Sequence, residues 1–394
     1  MSATTNNNLK INTEKGICIF IDWYLPGYKA GGPIQSVANM VAQLSKHKTF
    51  YIVTRNTDYC DDTPYSNITP NIWTKHSDNV FVYYFSADKL HYKSIKNLLK
   101  ENRFESIYLN GIFSLQFTLM PLRICKKLHL ENIIVGARGM LAPSALSIKK
   151  NKKRFFLLFS KLLGLYNKIS FHATNEDEKN YIQQIFGLEH NIFVAPNLAK
   201  VSSGNTFKTI AKIENQLSLI NVARIAPEKN LLYALEVLLL VKSKITFNIY
   251  GPTYNEDYWK QCQQVMAAMP ANITIQYHGA VDNNKVPQLI SENHAMFMPT
   301  QGENFGHIIL ESLQAARPVI ISNLTPWKNL EAQHCGYDLP LNNKQTFADV
   351  IESVAAINQQ SFDNLCKSSF DFAHNFSANT ADLNANKVMF GIQQ

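Results

Sequence analysis

The sequence predicts two α/β domains, each a Rossmann-like doubly wound parallel sheet, facing each other across a cleft. Three observations carry this expectation. Short, β-rich apolar runs alternate with longer helical patterns over most of the chain. A polar stretch at 195–216 breaks the rhythm, and the same cycle then restarts. The segments after several apolar runs concentrate Gly, Pro and charge, as strand-to-helix loops do. Alternation of this kind belongs to parallel sheets covered by helices on both faces.

In the first half the strand candidates are 17–21, 49–53, 80–85, 106–109, 132–135, 168–172 and 192–194, with helical patterns at 33–45, 116–128 and 177–186. In the second half they are 218–222, 246–250, 273–277, 295–298 and 318–321, with helices at 230–240 and 308–315. The expected division is 1–197 as a first domain and 198–375 as a second. A helix at 376–394 is expected to pack back on the first. The opening residues, MSATTNNNLKIN, are polar and read as a loose tail without the apolar core of a signal peptide.

Composition narrows the function classes. With 394 residues and 46% hydrophobic content, each half can bury a core. No apolar run approaches the ~20 residues a membrane-spanning helix needs, so a cytoplasmic protein is expected. The six cysteines form no C-x-x-C pair and read as reduced thiols. A formal charge of +8 favours an anionic partner without naming it.

In doubly wound sheets, ligands sit beyond the carboxyl ends of the strands, so the chemistry belongs in strand-to-helix loops. The segment PTQGENFGHIILESLQAARPVI ends a strand, then carries Glu303, Asn304, Phe305 and Gly306 before a helix that includes Glu311. Gly306 permits close backbone approach, and the free N–H groups of the helix start suit a diphosphate. Glu303 and Glu311 are acceptors suited to paired sugar or ribose hydroxyls. Arg224 follows a strand and Lys229 opens a helix in NVARIAPEKNLLYALEVL, where two cations would neutralise a leaving diphosphate.

The E-x7-E spacing, with the R-x4-K element before it, resembles the donor loops of family 4 retaining glycosyltransferases of the GT-B fold. The resemblance implies that Glu303 contacts the transferred sugar and Glu311 holds the ribose, while Arg224 and Lys229 face the diphosphate. Asn304 and Arg317 stand where that family more often carries Gly.

The first half adds further candidates. Gly31 and Gly32 allow a tight turn before Pro33 opens a helix, a place for donor phosphate or acceptor, and the family's first loop often carries such a pair. Arg138, in GARGMLAPSAL, is placed to meet acceptor or phosphate charge. His172 ends a strand and resembles the acceptor-side catalytic His of several family members. From Lys149 to Tyr166, a cationic cluster joins an apolar stretch, a pattern that can lie on anionic lipid.

No D-x-D triplet, G-x-G-x-x-G or G-x-x-x-x-G-K-[ST] occurs, so neither a metal-clamped diphosphate nor a nicotinamide or P-loop site is expected. The expected substrates are a nucleotide diphosphate sugar, carrying a hexose-type unit, and a glycan or lipid-linked acceptor. No metal or cofactor is expected, and the setting implied is bacterial surface polysaccharide synthesis. The alternative is a non-catalytic protein that binds nucleotide sugar or nucleic acid. No zinc-finger spacing or RNP-like aromatic motif supports nucleic acid.

Overall fold

The computed structural model describes residues 16–147, 150–200 and 207–393. The polar start of the chain, Lys149 and the Ser-Gly-Asn run of the expected linker lie outside the described residues. The chain divides into two compact units, Met1–Val201 with Thr380–Gln394, and Ser202–Asn379.

The first unit holds one eight-stranded sheet: β1 (Gly16–Phe20), β2 (Thr49–Arg55), β3 (Trp73–Ser77), β4 (Val80–Phe85), β5 (Ser106–Asn110), β6 (Ile133–Gly136), β7 (Ser170–Ala173) and β8 (Asn191–Val194). Their order is β3-β4-β2-β1-β5-β6-β7-β8. All neighbours are parallel except β3 against β4. Every residue of β1 and β5 is buried, because helices cover both faces. The helix Gly32–Leu44 turns Ile34, Val37, Met40, Val41 and Leu44 inward. Met389, Phe390 and Ile392, at the end of the chain, join the same core cluster. Phe390 meets Phe50 and Tyr108 with ring centroids 5.9 and 5.8 Å away.

The second unit holds six parallel strands: β9 (Gln216–Val222), β10 (Lys244–Tyr250), β11 (Ile273–Tyr277), β12 (Ala295–Met298), β13 (Val319–Ser322) and β14 (Gly336–Leu339), in the order β11-β10-β9-β12-β13-β14. Its core is built on Phe247, Phe297 and Phe347, all fully buried. Burying each ring contributes about 2–3 kcal/mol before cavity effects are counted.

Two strands escaped the sequence reading. β3 is mostly exposed and reads WTKHS, so it lacks the apolar run of its neighbours. β14 reads GYDL, short and half polar, at the other sheet's edge. The expected helix at 116–128 begins instead as a π-helical turn, Leu115–Leu119, before Met120–Lys127. Pro121 has no N–H to donate back into that first turn, which favours the wider start.

In both sheets the order reverses at one place. β1 leads to β2 on one side, while β5 takes the other side. β9 leads to β10 on one side, while β12 takes the other. At these switch points the two connections leave toward opposite faces and open a crevice at the strands' carboxyl ends.

Gly251 guards the second crevice. It follows β10 at φ 151°, and a Cβ there would sit 1.8 Å from the Ala223 carbonyl oxygen, in the loop that carries Arg224. Gly251→Ala is expected to destabilise the second unit by about 2 kcal/mol or more, measured by urea unfolding.

Candidate active site

In the second unit, the β9 and β12 loops are stitched together across the switch point. Pro227–Lys229 forms a 3-10 turn, and Asn230 follows in the left-handed conformation, where its side chain donates to the Pro299 carbonyl at 2.9 Å. The Gln301 N–H donates to the Glu228 carbonyl at 2.9 Å, and the Thr300 hydroxyl to the same oxygen at 3.0 Å. The Ser322 hydroxyl, at the end of β13, donates to the Thr300 carbonyl. The loop ends are therefore held by uncharged donors on backbone carbonyls, without use of their charged side chains.

Lys229 Nζ lies 2.6 Å from Glu303 Oε1. Their side chains are 20% and 12% exposed. An ion pair this withdrawn gains little net stability after desolvation, so its consequence is positional. Arg224 Nη2 lies 3.1 Å from Glu228 Oε1, four residues along. Lys229, expected to open a helix, sits in the 3-10 turn one residue before it. The reason is local: Pro227 sets the turn, and left-handed Asn230 precedes the helix Leu231–Leu238.

The helix His307–Gln314 begins at Gly306, with φ 77° and no side-chain cap. Its first N–H groups are thus left without a capping side chain, at the positive end of the helix dipole. Asn304 and Phe305 lead into it. Phe305 is buried against Trp327 and Phe376, and its carbonyl accepts from Trp327 Nε1 at 2.5 Å. Glu311 lies one turn into the helix, on the face of His307, and is partly exposed. Arg317 faces away from this chemistry. It is 1% exposed, and its guanidinium donates to the carbonyls of Lys208 and Ala316 at 3.0 and 2.9 Å and of Ser291 at 2.5 Å. A large side chain is accommodated there because backbone oxygens solvate it.

The structure therefore gathers Arg224, Lys229, Glu303, Asn304, Phe305, Gly306 and Glu311 around one switch point. Gly31, Gly32, Arg138 and His172 belong to the first unit. Gly31 adopts φ 68° before the helix Gly32–Leu44, and added Cβ atoms at Gly31 or Gly32 would meet nothing within 4 Å. Open space at both suits close approach by a ligand. Arg138 follows β6 at φ 54°. Its Nε and Nη1 donate to Asn110 and Asn197 at 2.8 and 2.6 Å, and Nη2 is buried without a partner.

His172 is buried, 1% exposed. Its Nε2 lies 2.7 Å from the Ala195 carbonyl, which can only accept, and its Nδ1 lies 2.8 Å from the Tyr108 hydroxyl. This fixes the neutral tautomer with Nε2 protonated and Nδ1 accepting from Tyr108. Burial, reinforced by the Arg138 charge, lowers its pKa to about 3. It sits in a central strand with neighbours on both sides, and a residue there points into the sheet's cover unless it ends the strand.

Among the described residues, no group of three or more His, Cys, Asp or Glu is placed to hold a metal ion. Sequence reasoning missed Thr300 and Trp327, which shape the loops. Asn230, beside the basic pair, carried a local signal, since Asn tolerates the left-handed region.

Residues 203–366, which hold the whole of this cluster, match the family described as glycosyl transferases group 1. A protein of Klebsiella pneumoniae, an uncharacterized 41.2 kDa protein in the cps region, is 25% identical over 234 residues, covering 57% of this chain and 62% of that protein. The chain thus matches under two thirds of that relative's length.

Solved structures resemble the chain over nearly its full length. Sucrose-phosphate synthase from Thermosynechococcus elongatus matches with TM-score 0.68 at 14% identity, covering 96% of this chain and 97% of that one. Anabaena HepE, in complex with UDP and glucose, gives 0.68 at 13%, covering 95% and 98%. WaaG, a glycosyltransferase involved in lipopolysaccharide biosynthesis, gives 0.65 at 12%, covering 95% and 100%. The fold is GT-B, two parallel-sheet α/β domains, and the segment that matches the group 1 family lies in the second of them.

The His172 environment makes stability depend on pH. Its folded pKa lies below the ordinary value, so between pH 6.5 and 3 the unfolded chain binds a proton that the folded chain refuses. Stability is then lost as pH falls through that window. Lowering pH from 7 to 5 is expected to remove about 2 kcal/mol through this residue. Urea unfolding at both pH values checks it: His172→Gln should flatten the slope, and an unchanged slope would contradict the assignment.

Proposed function

We propose that this protein is a retaining glycosyltransferase that moves a hexose-type sugar from a nucleotide diphosphate sugar to a glycan or lipid-linked acceptor in surface polysaccharide synthesis. The observation that carries the reading is the meeting of Lys229 and Glu303 across the second switch point, beside the uncapped helix start at Gly306, inside the segment that matches the group 1 glycosyl transferases. In this reading the diphosphate lies on Arg224, Lys229 and the N–H groups of that helix. These groups stabilise the charge that grows on the leaving phosphate, and no divalent cation is called for. Glu303 spends one carboxylate oxygen on Lys229, which leaves the other for a sugar hydroxyl. Glu311 holds the ribose hydroxyls. The cps-region relative and WaaG support polysaccharide synthesis as the setting. HepE, seen with UDP and glucose, supports a uridine nucleotide sugar as the first donor to test.

Retention then follows from same-face attack, without the paired-carboxylate route of retaining glycosidases. The test is a thermal-shift screen over UDP-, GDP- and ADP-sugars. One class should stabilise the wild type, by about 2.7 kcal/mol at a hundredfold excess over Kd. Lys229→Ala should abolish that shift, and Glu303→Gln should lower turnover about 10²–10³-fold. Activity should persist in EDTA. Absence of any shift across the screen would remove the donor assignment.

The reading extends to peripheral contact with the inner face of the cytoplasmic membrane. No described helix is long and apolar enough to cross one. The helix Lys150–Leu162 packs Phe156 and Leu157 on the first unit's core. Its opposite stripe presents Phe155, Leu158, Phe159 and Leu162, with Leu163 just beyond, all between 43% and 79% exposed. Exposed Lys152, Arg154 and Lys161 flank the stripe. Residues 149–168 contain seven cations and no carboxylate. An apolar stripe bordered by uncompensated positive charge complements an anionic lipid surface, at about 1 kcal/mol per cation. The chain should sediment with phosphatidylglycerol vesicles and not with phosphatidylcholine alone, and Phe155→Glu with Leu162→Glu should release it. Equal sedimentation of wild type and variant would overturn the contact.

A further inference from the structure

The first sheet has its own switch point, between β1 and β5, and the structure places a polar cluster there that the donor reading does not use. Asp22 lies just past β1, Arg55 ends β2, and Ser114 follows β5. Asp22 Oδ1 accepts from Arg55 Nη2 at 3.0 Å and from the Ser114 hydroxyl at 2.9 Å, so one carboxylate oxygen bridges the loops on both sides of the crevice. Arg55 Nε donates to the Asp22 carbonyl at 3.0 Å. The guanidinium lies between two rings, 4.8 Å from Trp23 and 5.3 Å from Phe117. Trp23 is braced edge-on by Tyr59 at 4.9 Å.

Two features make this more than a structural clamp. The Asp22 and Arg55 side chains are 22% and 25% exposed. No described residue hydrogen-bonds Asp22 Oδ2 or Arg55 Nη1, and neither atom is among the buried unpartnered ones. A half-buried carboxylate and guanidinium, each with one unused position and fixed by the other, offer an acceptor beside a donor. Neighbouring sugar hydroxyls present the matching pair, and Trp23, over which the guanidinium is stacked, holds the donor in place. Burial also raises the Asp22 pKa against the pull of Ser114 and Arg55, as expected where a carboxylate is short of solvent.

We infer that Asp22 and Arg55, the latter positioned by Trp23, form a saccharide site at the first switch point, which binds a pyranoside of the acceptor through two neighbouring hydroxyls. As an acceptor site it rests on the transferase reading; as a saccharide site it does not.

Saturation-transfer NMR on the full chain with methyl glucosides, galactosides and mannosides tests it. Nucleotide-sugar thermal shifts run beside it on the same samples. Wild type should show transfer to at least one pyranoside. Asp22→Asn and Trp23→Leu should each weaken it about tenfold, while the nucleotide-sugar shift is kept. Should Asp22→Asn fail to fold, Trp23→Leu decides. Pyranoside binding that survives both variants, or no pyranoside bound by the wild type, overturns the site. Pyranoside binding without any nucleotide-sugar shift would keep the site and remove the transferase reading.

Discussion

Everything functional in this molecule depends on one constraint of parallel sheets. Their strands all end on the same side, and where the strand order reverses, the connections part and leave a crevice that no helix fills. Both sheets contain such a reversal, at β1/β5 and at β9/β12. In each, an ion pair reaches across: Asp22 with Arg55 and Ser114 in the first, Lys229 with Glu303 in the second. These pairs add little to stability, yet each holds charged side chains where a polar ligand meets them already oriented.

The two crevices differ in the charge they present. The second has Arg224 and Lys229 near an open helix start, a combination that favours concentrated negative charge such as a diphosphate. The first has one carboxylate and one guanidinium beside an indole, nearly balanced, which favours neutral hydroxyls on a ring.

The rigidity behind these sites comes from uncharged side-chain donors bonded to backbone carbonyls. Glu228, Pro299 and Thr300 offer carbonyls that tie the β9 loop to the β12 and β13 loops, and Trp327 fixes Phe305 from below the helix start. Gly251 permits the close approach that this stitching needs, since any Cβ would strike Ala223. Loops held this way can present charge without spending it on their own structure.

Most strands and the donor loop were legible in the sequence because buried parallel strands read as apolar runs, and because charged residues just past them have few structural reasons to be there. β3 and β14 were not legible: edge strands WTKHS and GYDL bury too little to leave a pattern. Arg224, Lys229, Glu303 and Glu311 could be named from their places just past apolar runs and from the resemblance to family 4 donor loops. Their meeting could not, since Lys229 and Glu303 are 74 positions apart and only the strand order makes them neighbours. His172 shows the opposite limit. A histidine at a strand end looks the same in sequence whether it faces solvent or the core, and Tyr108 and Ala195, distant in the chain, turned it inward. Sequence by itself determined which residues could carry charge to a loop; the tertiary structure decided which of those charges face each other, because strand order is set by packing the whole sheet and not by any local segment.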